Sequence, residues 1–368
     1  MNALALAEPT ATNERCSLPW GPMSRVTWLQ HRFLILGALG LFGVMAAYVL
    51  LLGAPLHVLF SQYMSNGCLT PNAANVGVCV GLESRIGEST FGVTIVDIAL
   101  HVLPVVLGTF IGAPLIAREF ESGTYRFTWT QGMPRALWFA LKFTLLAVPI
   151  TAGTCVLGLL ASSYSGPFNT IGFSSAWQPG EFDVTVLTLA AWTLFGLALG
   201  TFVGSLIKHT VSAMALTGAV ISGLLIATFW KLEYLLLSIG PKAMKTVRPG
   251  GGFGALNSAS NATGITSGPY GAKNLHEPAG SWLVNGWYTG AKGVVLNSSQ
   301  SQKLVDNMYS TSFPKNPAAW LTQHHVAYWV SYQPASRFWM FQGVEAAVLV
   351  GLAFVLTSGT ASLIRRRA

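Results

Sequence analysis

Six long apolar runs separated by polar breaks divide this chain, and each is long enough to cross a bilayer, which takes about 20 residues. They run from Phe33 to Leu52, Phe91 to Ile116, Leu137 to Ser162, Val184 to Leu206, Val211 to Trp230 and Trp339 to Ile364. A spanning segment must satisfy its own backbone hydrogen bonds, so runs of this length predict helices. The expected fold is an all-α membrane protein of six transmembrane helices. Arg25 and Arg32 precede the first run, Arg118, Arg126 and Arg135 lie between the second and third, and Arg365, Arg366 and Arg367 follow the last. Short basic loops stay in the cytoplasm, so both termini are expected there. The stretches from Gly53 to Thr90 and from Ser163 to Glu181 then lie outside, while Lys208 and His209 form a tight inner turn.

Four regions follow. Residues 1–24 form a cytoplasmic tail expected to be disordered, with no charged start and apolar core of a secretory signal. Residues 25–230 hold an amphipathic lead-in and spans one to five. Residues 231–336 form an extracellular segment, in which Pro249 to Ala272 is rich in Gly, Ser, Asn and Thr and is expected to be a mobile loop. Beyond it Trp282, Trp287, Tyr288, Trp320, Trp329 and Tyr332 offer aromatic surface for a small cap. Residues 337–368 are the sixth span and its basic cytoplasmic end. No internal repeat is visible.

Composition agrees with the pattern: 52% of residues are hydrophobic and 9% charged, against about 25% charged in a soluble domain. The net charge of +8 sits at span ends rather than along one face, which is topology and not a nucleic-acid footprint. Cys68 and Cys79 share one outer loop, where such a pair is expected to form a disulfide rather than remain as two thiols. The chain has no GK[ST], HExxH, GxSxG or CxxC motif, so no catalytic residue, metal site or cofactor is expected on it.

The polar break from Ile111 to Arg135, IGAPLIAREFESGTYRFTWTQGMPR, is the most distinctive stretch. Gly123 interrupts its helical pattern, and TYRFTWTQ can form a short amphipathic helix closed by Gly132 and Pro134. Glu119 and Glu121 suit basic residues on a partner, and Tyr125, Phe127 and Trp129 suit a packed interface. Aromatics at such a position equally anchor a helix among lipid headgroups.

This order of Arg-Glu, a second acid, Gly-Thr, a short aromatic helix and Pro-Arg resembles the cytoplasmic loop of type 2 ABC exporter permeases. The stretch YQPASRFWMFQGVE, Tyr332 to Glu345, resembles the start of the last span in an actinobacterial subgroup of that family, and WLQHR, Trp28 to Arg32, resembles its lead-in. The three span nearly the whole six-helix frame, whereas residues 231–331 match almost nothing. The resemblance implies that the loop 117–135 couples to a separate ATP-binding subunit through Glu119, Glu121, Gly123, Tyr125, Phe127 and Trp129. It also implies two permeases with two ATP-binding subunits, with ATP and Mg on the partner, in a bacterial cytoplasmic membrane.

Three ionisable residues lie at membrane depth: Asp97, His101 and Glu345. Such groups face protein or a cavity rather than lipid. Asp97 and His101, four apart, share a helical face and can form a charge-assisted hydrogen bond. Their role is helix packing, a polar lining for cargo, or a proton relay. Three function classes therefore stand: an ATP-driven exporter of a hydrophobic or amphipathic molecule, a proton-coupled secondary transporter using Asp97, His101 and Glu345, and a membrane anchor or sensor for the external segment.

Overall fold

The computed structural model describes residues 20–69, 74–125, 134–171, 177, 179–228, 243–247, 282–290, 293–310 and 323–366. Among them, six helices are long and apolar enough to cross a membrane, as the apolar pattern predicts. Span one is α1 (Trp20–Ser65), followed by the shorter α2 (Val76–Glu88). Span two is assembled from α3 (Thr90–Leu107), a π-helical turn (Gly108–Gly112) and α4 (Ala113–Ser122). Spans three, four and five are α5 (Arg135–Ile171), α6 (Val186–Ile207) and α7 (Thr210–Ala227). An outlying α8 (Ser298–Ser310) precedes span six, α9 (Phe338–Arg366).

The helices outrun the apolar cores that predicted them. α1 continues past Gly53 and Pro55 to Ser65, so the outer loop expected from Gly53 begins only after it. Pro55 removes a backbone donor, yet Leu56 and Tyr63 beyond it are fully buried and pack in one cluster with Tyr164 and Phe168. The same cluster carries α5 past Pro167 to Ile171 and shortens the loop expected from Ser163. The residues after Ile116 are helical too, so the polar break starts as the last turns of span two.

α6 is the centre of the bundle. Of its apolar window 72% is buried, against 17% for α7 and 22% for α1 and α9. Glycines allow this. Gly196, Gly200 and Gly204 line one side of α6 at intervals of four and meet the end of α3, the π turn and α4 backbone to backbone. A Cβ on Gly200 would lie 2.4 Å from the Gly108 carbonyl oxygen, and one on Gly204 2.5 Å from that of Ala113. Gly108 faces the seam in return, where a Cβ would lie 2.7 Å from the Gly196 oxygen. Only residues without side chains permit an approach this close.

Contacts sort the helix termini into two ends. Ile35 of α1, Ile116 of α4, Trp138 of α5 and Ile364 of α9 form one cluster, which gathers Arg32, Arg118, Arg135 and Arg365 at one end of the bundle. At the other end Trp177 packs edge-on against Phe338 and Phe341, with ring centres 5.3 and 5.8 Å apart, and stacks on Phe182 at 6.3 Å. The segment between spans five and six, for which no strands were anticipated, contributes three. β1 (Ala243–Val247), β2 (Trp282–Thr289) and β3 (Ala327–Gln333) form an antiparallel sheet in the order β1-β3-β2, with a bulge between Leu283 and Asn285. From β3 the chain passes Pro334 and a 3-10 turn into α9.

Candidate functional site

The polar break is built on α4. This helix ends where Gly123 adopts φ +72°, the left-handed conformation that a helix terminus commonly assigns to glycine. The two acids ahead of it lie two positions apart and so leave α4 on different faces. Glu119 turns inward and pairs with Lys142 of α5, whose side chain is 4% exposed. The Lys142 ammonium also lies 4.9 Å from the centre of the Trp138 ring, a cation–π arrangement. Glu121 turns toward α7, where its Oε2 accepts hydrogen bonds from the Thr210 backbone N–H at 2.9 Å and the Thr210 hydroxyl at 2.6 Å. The His209 Nδ1 is 3.9 Å from its other oxygen. Glu119 is thus an internal strut, and Glu121, still half exposed, is a tie between helices. Tyr125, just past Gly123, meets Phe120 edge-to-face at 5.1 Å, and Arg118 is exposed. Phe127 and Trp129 lie outside the described residues.

At the opposite end His101 and Glu345 come together through a further acid, Asp183, while Asp97 meets His101 through its backbone carbonyl. The His101 Nδ1 donates to the Asp97 backbone carbonyl at 2.7 Å, rather than to the carboxylate anticipated from their spacing. A helical i,i+4 pair brings the ring over the earlier residue's carbonyl, which competes as an acceptor. The His101 Nε2 is 3.9 Å from Asp183 Oδ2. Asp183 in turn meets the Glu345 carboxyl, which accepts a hydrogen bond from Trp192 Nε1 at 3.1 Å. Burial, and then the Glu345 carboxyl, raise Asp183 well above the ordinary carboxylate range. Beside this pair Gln342 is fully buried, donating to the Phe182 carbonyl at 2.8 Å and accepting from Thr185.

Asp183 and Gln342 escaped the sequence reading for different reasons. Asp183 precedes the apolar run of span four and looks like an ordinary flanking acid. Gln342 sits inside the stretch that resembles a last span, where no local pattern marks its partner across 160 residues. That stretch is where span six grips its neighbours: Arg337 donates to Gln333 at 3.0 Å, Phe338 and Phe341 enclose Trp177, and Glu345 meets Trp192.

Outside the helical seam, Cys68 and Cys79 form a disulfide with their Cα atoms 5.3 Å apart. It joins the end of α1 to α2, and both residues are buried. The buried Tyr63 hydroxyl reaches the Cys68 carbonyl at 3.0 Å and Glu83 Oε1 at 2.8 Å. Among the described residues no group of three or more His, Cys, Asp and Glu is arranged to hold a metal ion.

The model of the ABC-2 membrane transporter related family matches residues 23–232. That range is more than half of the chain and contains spans one to five with the whole polar break. The chain belongs to this ABC-2 family. It is therefore a multi-pass membrane protein of a permease family, not itself enzymatic, whose members generally work with an ATP-binding subunit. The matched range stops before the β-sheet, Gln342 and Glu345. Comparison with curated proteins and with solved structures finds no match to the chain.

Proposed function

We propose that this chain is the permease subunit of an ATP-driven exporter in a bacterial cytoplasmic membrane, of the actinobacterial kind its last span resembles, moving a hydrophobic or amphipathic molecule outward. The observation that carries the proposal is the family match across residues 23–232, whose polar break is braced against several spans at once. Glu119 ties that break to α5, Glu121 ties it to α7, and the glycine seam ties α4 to α6. A push on this element is thus delivered to most of the bundle. Basic residues gathered at the same end support its assignment to the cytoplasm.

Two copies of the permease enclose the path and two ATP-binding subunits carry ATP and Mg. When the ATP-binding subunits close, the loop 117–135 moves with them and the permease interface switches from inward to outward access. This chain contributes no catalytic residue. Arg118 supplies the charged edge of the docking surface, with Tyr125, Phe127 and Trp129 as its aromatic centre, since both glutamates are engaged within the chain. Arg118→Glu with Trp129→Ala tests this: the double variant is expected to insert and fold but to lose its ATP-binding partner, at a cost of about 2 kcal/mol or more. Copurification of that partner at the wild-type ratio would refute the docking assignment.

One observation favours a second reading, a proton-coupled transporter. His101 of span two lies 3.9 Å from Asp183, just ahead of span four, and Asp183 lies beside Glu345 of span six. Transport driven by a proton gradient without ATP would select it.

A further inference from the structure

The beginning of α7 is held by a residue of another helix. α6 and α7 are joined by two residues, of which Lys208 adopts φ 64°, a left-handed conformation unusual for a side chain of its kind. His209 occupies the N-cap position of α7 but makes no side-chain capping bond. The cap comes from Glu121, whose carboxylate takes both the backbone N–H and the hydroxyl of Thr210. A negative charge at a helix N-terminus is the electrostatically favoured placement. The rest of α7 is held by a narrow buried stripe, Ala213, Thr217 and Ile221, of which Ala213 and Ile221 pack with Ala113 and Ala117 of α4, while most of its apolar window is exposed.

We propose that Glu121 is a positioning residue for the coupling step: it ties the end of α4 to the first turn of α7, so that displacement of the docking loop is handed to the fifth span instead of being absorbed by the turn at Lys208 and His209. The inference rests on the exporter reading given above and adds the route by which motion enters the bundle. Location supports a moving part rather than a static brace. Glu121 and His209 have side chains 49% and 75% exposed, so water competes for the tie and its loss is expected to leave the fold intact. Its companion Glu119, pairing with a lysine 4% exposed, is the static brace. The two acids, indistinguishable by residue type, thus divide the work: one fixes α4 to span three, the other links it to span five.

The test uses the full complex of this chain with its ATP-binding subunit in lipid nanodiscs. Nitroxide labels at Leu159→Cys on α5 and Ile226→Cys on α7, both exposed on the apolar surface, report the α5–α7 distance by pulsed electron spin resonance. Cys16→Ser and Cys155→Ser remove the cysteines outside the Cys68–Cys79 disulfide, which remains. Without substitution at residue 121, trapping with ATP and vanadate is expected to shift the distance. Glu121→Ala is expected to abolish most of that shift while the amount of copurified ATP-binding subunit and of trapped nucleotide stays unchanged.

Thr210→Pro is a second, independent way to cut the tie. It removes both donors at the first position of α7, where proline is well suited, and His209 has the extended backbone that proline requires of its predecessor. It should reproduce the loss, whereas Thr210→Ser, which keeps both donors, should retain the shift. A full shift in the folded Glu121→Ala or Thr210→Pro complex would overturn the inference alone. Absence of any ATP-dependent shift in the unsubstituted complex would instead overturn the exporter reading, and the inference with it.

Discussion

α6 and α7 are neighbours in sequence, joined by a two-residue turn, and equally apolar along their best window, yet 72% of that window is buried in α6 and 17% in α7. Hydropathy responds to the absence of water, and lipid and protein interior are alike in that respect. What separates the two helices is small residues in register. α6 presents Gly196, Gly200 and Gly204 to the glycines of span two, where an added Cβ would collide with backbone. In α7 the corresponding space at Gly223 is open, with nothing within 4 Å. A membrane helix reaches the centre of a bundle by the backbone approach it permits, because lipid supplies no hydrophobic force to drive it there.

The sharpest way to break this contrast is one bulky substitution on each helix. Gly200→Leu forces a side chain into backbone 2.4 Å away, which the seam cannot accept without separating. No folded, monodisperse protein is expected in detergent, since insertions into packed cores cost about 1–3 kcal/mol even where side chains can yield. Gly223→Leu is expected to fold with an unchanged chromatographic profile. Equal behaviour of the two would remove the seam as the explanation for α6.

A loss of stability rather than of the fold is expected beside the seam, at the brace on α4. Lys142→Met leaves Glu119 without its cation next to Trp138, and breaking a buried pair from one side costs about 3–5 kcal/mol. Thermal melting in detergent measures it. Lys142→Met with Glu119→Gln should recover most of the loss, which separates an uncompensated charge from lost packing. The least costly of the three changes is Gln342→Leu at the other end. It leaves the Phe182 carbonyl without its donor, a loss of about 1–3 kcal/mol, read as a lower melting temperature with the same six spans inserted.

The six spans, their order and the polar break between the second and third were legible in the sequence, because both follow from composition over tens of residues. Their lengths were less so. α1 crosses Pro55 and α5 crosses Pro167, since tertiary packing of Tyr63, Tyr164 and Phe168 outweighs the local signal to stop. The partners of individual polar residues were hidden. Glu119 and Glu121 look alike in the sequence, and only the placement of Lys142 and Thr210 on other helices gives them different roles. The tie from Asp183 to Glu345 joins residues far apart in the chain, which no local pattern encodes. The sheet between spans five and six was obscured because its strands pair across long intervening stretches, Val247 with Tyr328 and Thr289 with Ala327.

Membership of the ABC-2 family makes partnership with an ATP-binding subunit the point on which the functional assignment turns. Native mass spectrometry of the complex purified through a tag on this chain tests it most directly. Two copies of the chain with two nucleotide-loaded ATP-binding subunits are expected. The folded chain released from lipid without any nucleotide-binding partner, alone or with itself, would contradict the assignment.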